Sequence, residues 1–94
     1  MQSAKFVLIS ESGYNPKHDT LLESVLNDGF QYFCAVGKDC ELWEEIMDEL
    51  AVGDGTNIRY ITTTSHLGES EGEVIEFAKS LEPGIESVVK IVRI

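Results

Sequence analysis

The chain has 94 residues, which suits one globular domain and is too short for two independent cores. Its seven basic and seventeen acidic residues give a formal charge of −10. That charge opposes binding to a nucleic acid backbone or to anionic lipid, so it serves solubility alone or complements a basic protein partner.

The first third of the chain predicts a strand, a helix and a second strand. Residues 6–9 are an uninterrupted apolar run, typical of a strand that is covered on both faces. After a polar loop, Thr20 and Glu23 have the spacing of a capping box, and Gly29 is expected to end that helix in a left-handed conformation. Residues 30–36 then form the second strand.

The second helix separates its side chains into an apolar and an acidic face. Asp39 is its expected N-cap, and the separation follows from a rotation of about 100° per residue. The apolar face comprises Leu42, Trp43, Ile46, Met47 and Leu50, and the acidic face comprises Glu41, Glu44, Glu45, Asp48 and Glu49. A face that served solubility alone would more often include Lys, so we expect the acidic face to bind a basic partner.

The second half of the chain repeats the alternation of strand and helix. Residues 58–63 are rich in β-branched side chains and predict a third strand, followed by a loop over residues 64–69. Ser70 and Glu73 have the spacing of a second capping box, which starts the third helix. The sequence therefore places the second half of the domain in the same strand-helix pattern as the first.

The last strand completes the fold prediction. After a turn at residues 83–84, residues 88–94 form a strand whose Lys90 and Arg93 suit an edge of the sheet. The order βαβαβαβ predicts a single α/β domain, a three-layer sandwich with helices on both faces of a four-stranded, mainly parallel sheet. The flavodoxin-like strand order 2-1-3-4 is favoured and the Rossmann-like order 3-2-1-4 is the alternative; both bury the first strand between two neighbours.

The cellular location is predicted from the absence of targeting signals. No secretory signal is visible before the first apolar run, and no stretch approaches the ~18 apolar residues of a membrane span. We expect a cytoplasmic protein in which Cys34 and Cys40 are reduced thiols.

Two short motifs resemble those of a known family. The first is Gly37-Lys38-Asp39-Cys40 with Trp43; the second is Thr63-Thr64-Ser65-His66 with Glu69, ahead of a helix that ends in Phe77-Ala78-Lys79. The chain from the second strand to the third helix thus resembles a family of small bacterial proteins of unknown function. The resemblance implies a bacterial source and marks positions of interest, and it implies no activity.

The loops after the strands hold the candidate site residues, because these loops gather at the carboxyl edge of a parallel sheet. Cys40 stands at a helix start, a position that can activate a thiol, with His66 as its base and Glu69 orienting the histidine. The competing interpretation is an inert, partly buried thiol beside Asp39. Asp39 and Ser65 are candidate binding residues at the same edge.

No metal site or cofactor is predicted. The ligating residue types lack ligand spacing on any one element, and no glycine-rich phosphate motif follows the first strand. The favoured function is a protein-binding module of the inhibitor, immunity or regulatory kind that uses the acidic face. The alternative is a small enzyme or ligand sensor with a Cys-His-Glu site at the carboxyl edge.

Overall fold

Four strands and three helices alternate along the described part of the chain. The structure is a computed structural model that describes residues 5–53, 55–56, 58–81 and 89–94. The elements are β1 (Lys5–Ser10), α1 (Asp19–Asn27), β2 (Tyr32–Gly37), α2 (Cys40–Val52), β3 (Thr62–His66), α3 (Glu71–Ser80) and β4 (Val89–Arg93), with a 3-10 turn at Pro16–His18 before α1. The predicted α/β class and element order are confirmed; the turn at residues 83–84 and the start of the last strand at Val88 lie outside the described residues.

The sheet has the strand order β3-β2-β1-β4, and all of its neighbouring strands are parallel. The alternative order 3-2-1-4 is therefore confirmed, and the favoured order 2-1-3-4 is wrong. Burial gives the reason, because residues 33–36 of β2 are buried on both faces and need a neighbour on each side. In β3 only His66 is buried, so this polar strand takes the edge instead.

The two faces of the sheet carry separate cores. Phe6 and Leu8 of β1 pack with Phe33 of β2 in the cluster beneath α1 and α2. Val7 of β1 packs with Cys34 of β2 in the cluster beneath α3. Because side chains alternate between faces along a strand, a residue's position in its strand fixes the core to which it belongs.

The two predicted capping boxes have different outcomes. Ser70 accepts from the backbone N of Glu73 at 3.2 Å, and the Glu73 carboxylate accepts from the backbone N of Ser70 at 2.8 Å, so this box is confirmed. The box at Thr20 is wrong because the 3-10 turn runs directly into α1, which begins at Asp19 with His18 as its N-cap. Gly29 has φ 82°, as predicted for the residue that ends α1.

The third strand begins and ends later than predicted. Its pairing with β2 starts where the backbone N of Thr62 donates to the carbonyl of Gln31 at 2.9 Å. The preceding segment is held instead against the end of α2, since Arg59 N donates to the carbonyl of Ala51 at 2.9 Å. The predicted strand at residues 58–63 is thus displaced, and the predicted loop at 64–69 is wrong because Ser65 and His66 belong to β3.

Arg59 fixes this displaced segment with its side chain as well. Its guanidinium donates to Asn27 Oδ1 at 2.9 Å, to Glu23 Oε1 at 3.2 Å and to the carbonyl of Leu50 at 3.3 Å. These acceptors lie at the end of α1, on α1 and near the end of α2. One cation therefore ties the segment before β3 to both helices on this face of the sheet.

β4 lies at the edge of the sheet opposite β3, as predicted from its charges.

Candidate functional site

The carboxyl ends of β1 and β2 are closed by a buried hydrogen-bond junction. Oγ of Ser10 accepts from Nε1 of Trp43 at 3.0 Å and from the backbone N of Gly13 at 3.1 Å. The carbonyl of Ser10 also accepts from the backbone N of Lys38 at 2.9 Å. Ser10 and Trp43 are both buried, so this part of the edge is filled by the protein's own side chains.

Two rings from the loop after β1 cover the Trp43 indole. The centroid of Tyr14 lies 5.1 Å from that of Trp43 in an edge-to-face arrangement, and the His18 centroid lies 5.3 Å away. The Tyr14 hydroxyl donates to Asp19 Oδ1 at 2.5 Å. This hydrogen bond, with smaller contributions from burial and from the charges of Asp19 and Glu49, raises the pKa of Tyr14 to about 12.

Asp39 occupies the N-cap position of α2, as predicted, but its side chain does not cap the helix. Its backbone has φ 62°, a left-handed conformation that is uncommon outside glycine. Oδ2 of Asp39 instead accepts from the backbone N of Tyr14 at 3.0 Å. The carboxylate therefore ties the loop after β1 to the start of α2.

The structure places Cys40 and His66 on opposite faces of the sheet. Cys40 is 1% exposed and belongs to the core beneath α1 and α2. His66 pairs in register with Val36, which belongs to the other core, and its ring packs on Phe77 of α3 at 4.8 Å. The expected Cys-His pair therefore does not form, because the sheet lies between the two side chains.

His66 nevertheless has the acidic neighbour that the sequence predicts. Its Nδ1 lies 3.2 Å from Glu69 Oε1, and its Nε2 lies 2.8 Å from Thr64 Oγ1. Thr64 is opposite Cys34 in the register of β2 and β3, a pairing that the sequence did not predict because the predicted strand ended at Thr63. Burial raises the pKa of the Cys34 thiol, and a hydrogen bond with Thr64 acts in the opposite direction. Cys34 is fully buried, so its thiol is not accessible to a substrate. The contact of His66 with Phe77 instead packs β3 against α3.

A further cluster joins the end of β4 to α3. The Arg93 guanidinium forms two 2.6 Å contacts with the Glu71 carboxylate and one of 2.5 Å with Glu11. Its hydrogen bonds lower the pKa of Glu71. Both carboxylates are thus occupied by a cation of the same chain.

Ser65, the other candidate binding residue, lies half-buried within β3 opposite Ala35, on the α2 side of the sheet rather than in a loop.

The acidic face of α2 is turned to solvent. Glu41, Glu45, Asp48 and Glu49 are exposed and Glu44 is half-buried. Within the described ranges, the ion pairs of Lys and Arg go to Glu11, Glu23, Glu71 and Glu76, and none goes to this face. Among the described residues, the hydrogen bond made by a side chain of this face is that of Asp48, which accepts from Thr63 Oγ1 at 2.7 Å.

The apolar face of α2 is narrower than the sequence predicts. The buried row consists of Cys40, Trp43, Met47 and Ala51. Leu42, expected in the core, is 39% exposed, because five residues of helical rotation place it about 140° from Met47. Ile46 and Leu50 are only half-buried. Leu42 therefore adds an apolar side chain to the solvent side of the helix, next to the carboxylates.

An open groove of about 590 Å³ lies at the amino end of β2 and β3, beside the last turns of α2. Its lining includes Asp48 and Val52 of α2, Ile58 and Tyr60 before β3, and Tyr32 of β2. Tyr60 is 87% exposed, and the side chains of Val52 and Ile58 are also exposed, at 49% and 42%. This groove was not predicted from the sequence, because residues 58–63 have the pattern of a strand.

The described residues contain no group of three or more His, Cys, Asp or Glu side chains arranged to hold a metal ion. None of their helices has the length and apolar character needed to cross a membrane.

Comparisons with other proteins place the chain in a family. Comparison with curated proteins and with solved structures gave no match. The domain of unknown function DUF7684 matches residues 2–92, which is nearly the whole chain. The resemblance to a family of unknown function is thereby confirmed, and the chain belongs to the DUF7684 family.

Proposed function

We propose that this protein is a binding module that docks a basic protein through the acidic face of α2 and the adjoining groove. The observation that carries the proposal is that the five carboxylates of this face form no ion pair with any Lys or Arg of the described residues. Like charges three or four positions apart cost a helix a few tenths of a kcal/mol per pair, by order of magnitude. A cationic partner would relieve this repulsion.

The acidic face and the groove supply different parts of recognition. Exposed carboxylates accelerate the encounter with a cationic surface and select against acidic partners. The groove offers Tyr60 and Val52 as apolar contacts, which contribute most when they become fully desolvated at the centre of an interface. Asp48 lines the groove and belongs to the acidic face, so the two parts form one continuous surface.

The alternative function, a small enzyme or ligand sensor, has less support. It needs Cys40 and His66 to act on one ligand, and they belong to opposite faces of the sheet. The proposal further takes the protein to be bacterial and cytoplasmic. The family resemblance supports the first point, and two unpaired cysteines are in keeping with the second.

The test compares two double variants that change the net charge equally. The first variant, Glu45→Lys with Glu49→Lys, alters the acidic face. The control variant, Asp28→Lys with Glu76→Lys, alters two exposed residues elsewhere, one at the end of α1 and one on α3. Proteins captured from a lysate of the native host by the wild type are identified, and the association rate of the purified partner is measured at low and high salt.

The acidic-face variant should associate at least ~tenfold more slowly at low salt, with a smaller difference at high salt, because salt screens exposed charges. The control variant should stay close to the wild type. Equal slowing by both variants would attribute the effect to net charge. Equal rates for all three proteins would leave the acidic face as a solvated surface.

A further inference from the structure

We propose that the outer edge of β3 is a docking site for an extended, basic segment of the partner, which joins the sheet as a fifth strand. The inference rests on the proposed function for the charge of the partner. It adds the mode of binding, in which backbone groups of β3 pair with the segment and side chains of α2 select its charge. Strand addition of this kind is a recurring mode of peptide recognition.

Among the residues that the structure describes, no strand pairs with the outer side of β3. β3 is an edge strand, and within the described part of the chain only β2 pairs with it. In a parallel ladder, alternate residues direct their N–H and C=O to the neighbouring strand. The backbone N–H of Thr62 donates to the carbonyl of Gln31, just before β2. By this alternation, the backbone groups of Thr62, Thr64 and His66 point toward β2. The backbone groups of Thr63 and Ser65 therefore point away from the sheet.

The β3 edge also lacks the features by which proteins usually block pairing. Exposed edges are commonly protected by Lys, Pro or a bulge. β4, at the other edge, carries Lys90 and Arg93. β3 has the sequence Thr-Thr-Thr-Ser-His, without Lys, Arg or Pro, and pairs with β2 in continuous register. The two edges of one sheet thus differ, and β3 is the one that is open to a strand.

Charge decides which strand fits this edge. Asp48 accepts a hydrogen bond from Thr63, so the acidic face of α2 stands directly beside β3. Antiparallel pairing of β3 with a second copy would bring two such faces together on one side of the joined sheet, between chains of formal charge −10. A segment with Lys or Arg on its α2 side would instead meet Asp48 and Glu44. The groove at the amino end of β3 can accept an apolar side chain of the same segment.

The experiment uses a ten-residue peptide of alternating Lys and Val as the probe. The control peptide has the same sequence with an N-methyl group on every backbone nitrogen, which preserves the charge and removes the N–H donors from both edges of the extended peptide. Amide hydrogen exchange of the full chain is followed residue by residue by NMR. The Lys-Val peptide should slow exchange at Thr63 and Ser65 at least ~tenfold and leave Thr64 and His66 unchanged, since those amides already face β2. The N-methylated peptide should produce no such alternation.

A pair of variants tests the same edge through the protein. Ser65→Pro removes a backbone N–H that points away from the sheet and leaves the hydrogen bonds to β2 in place. Edge strands tolerate proline at such outward-facing positions. It should weaken peptide binding at least ~tenfold, and Ser65→Ala should bind like the wild type. Urea unfolding checks that Ser65→Pro remains folded; if it does not, the exchange pattern and the N-methylated peptide still decide the question.

The outcomes separate this inference from the proposed function. Peptide binding that is weakened by Glu45→Lys with Glu49→Lys, but does not protect Thr63 and Ser65, would overturn strand addition and support the acidic face. Alternating protection that is unaffected by those substitutions would support the edge and count against the acidic face. Protection of Thr63 and Ser65 without peptide, together with a dimer in solution, would overturn the inference because a second copy would be the occupant. No peptide binding at low salt would also overturn it.

Discussion

Nε1 of Trp43 donates a 3.0 Å hydrogen bond to Oγ of Ser10, which joins the first turn of α2 to the end of β1. The same oxygen accepts from Gly13 N at 3.1 Å, so one buried hydroxyl serves two donors from different parts of the chain. A buried donor that loses its acceptor retains the cost of its desolvation. This junction uses the polar groups of Ser10 to join the carboxyl end of β1 to the loop after β1 and to α2.

Ser10→Ala should therefore lower the free energy of unfolding by about 1–3 kcal/mol, because the indole and Gly13 N–H groups would remain buried without their acceptor. Ser12→Ala, two residues away and exposed, is the control and should change it by less than about 0.5 kcal/mol. Urea unfolding followed by Trp43 fluorescence measures both. Similar values for the two variants would show that the Ser10 hydroxyl contributes little.

A glycine pair tests the close approach of β1 and β2. A Cβ on Gly37 would lie 2.3 Å from the Ser10 carbonyl oxygen, whereas a Cβ on Gly68 would have no heavy atom within 4 Å. Both residues have positive φ, of 99° and 80°. Gly68→Ala should cost about 1–2 kcal/mol from its backbone conformation alone. Gly37→Ala should cost more than about 3 kcal/mol, since the backbone strain is joined by a clash that only movement of a strand can relieve.

Both glycine variants are measured by urea or thermal unfolding. Their difference isolates the clash because the conformational cost is shared. Equal destabilisation would mean that the ends of β1 and β2 separate easily, and the junction at Ser10 would then be less rigid than its hydrogen bonds indicate.

Cys34 and Cys40 should remain free thiols and should resist alkylation in the native protein. Both are buried, and they belong to the cores on opposite faces of the sheet. Burial also raises the pKa of the Cys34 thiol, which reduces the reactive thiolate. Thiol titration should find two reactive groups in denaturant and slow labelling without it. Rapid labelling of Cys40 alone in the native protein would contradict this burial and restore the case for an activated thiol.

Alkaline pH should destabilise the fold through Tyr14. Its folded pKa is raised to about 12, above the unfolded value of about 10. The stabilisation linked to its proton is thus complete below the unfolded pKa, and it is lost as the pH rises from about 10 to 12. Cys34 contributes in the same direction, because its folded pKa is also raised. Tyr14→Phe should therefore lose less stability than the wild type between pH 9 and 11, as measured by urea unfolding. Parallel losses in the two proteins would show that Tyr14 does not carry the effect.

The sequence by itself determined the features that depend on neighbouring residues. The apolar run at residues 6–9 predicted an interior strand, which is β1, and the spacing of Ser70 and Glu73 predicted the cap of α3. It also showed the acidic face of α2 and the approach of Glu69 to His66. These features follow from helical rotation, from capping geometry and from short separations along the chain, all of which are visible in a local pattern.

The tertiary structure decided the strand order and the faces on which distant residues lie. β2 required two neighbours because both of its faces are buried, and this left β3 at the edge. Arg59 held the preceding segment on α1 and α2, so β3 began at Thr62 and extended to His66. The pleat then turned His66 toward α3, away from Cys40. The physical reason is that strand pairing and burial depend on contacts between residues far apart in the chain, and no local pattern encodes which of those contacts form.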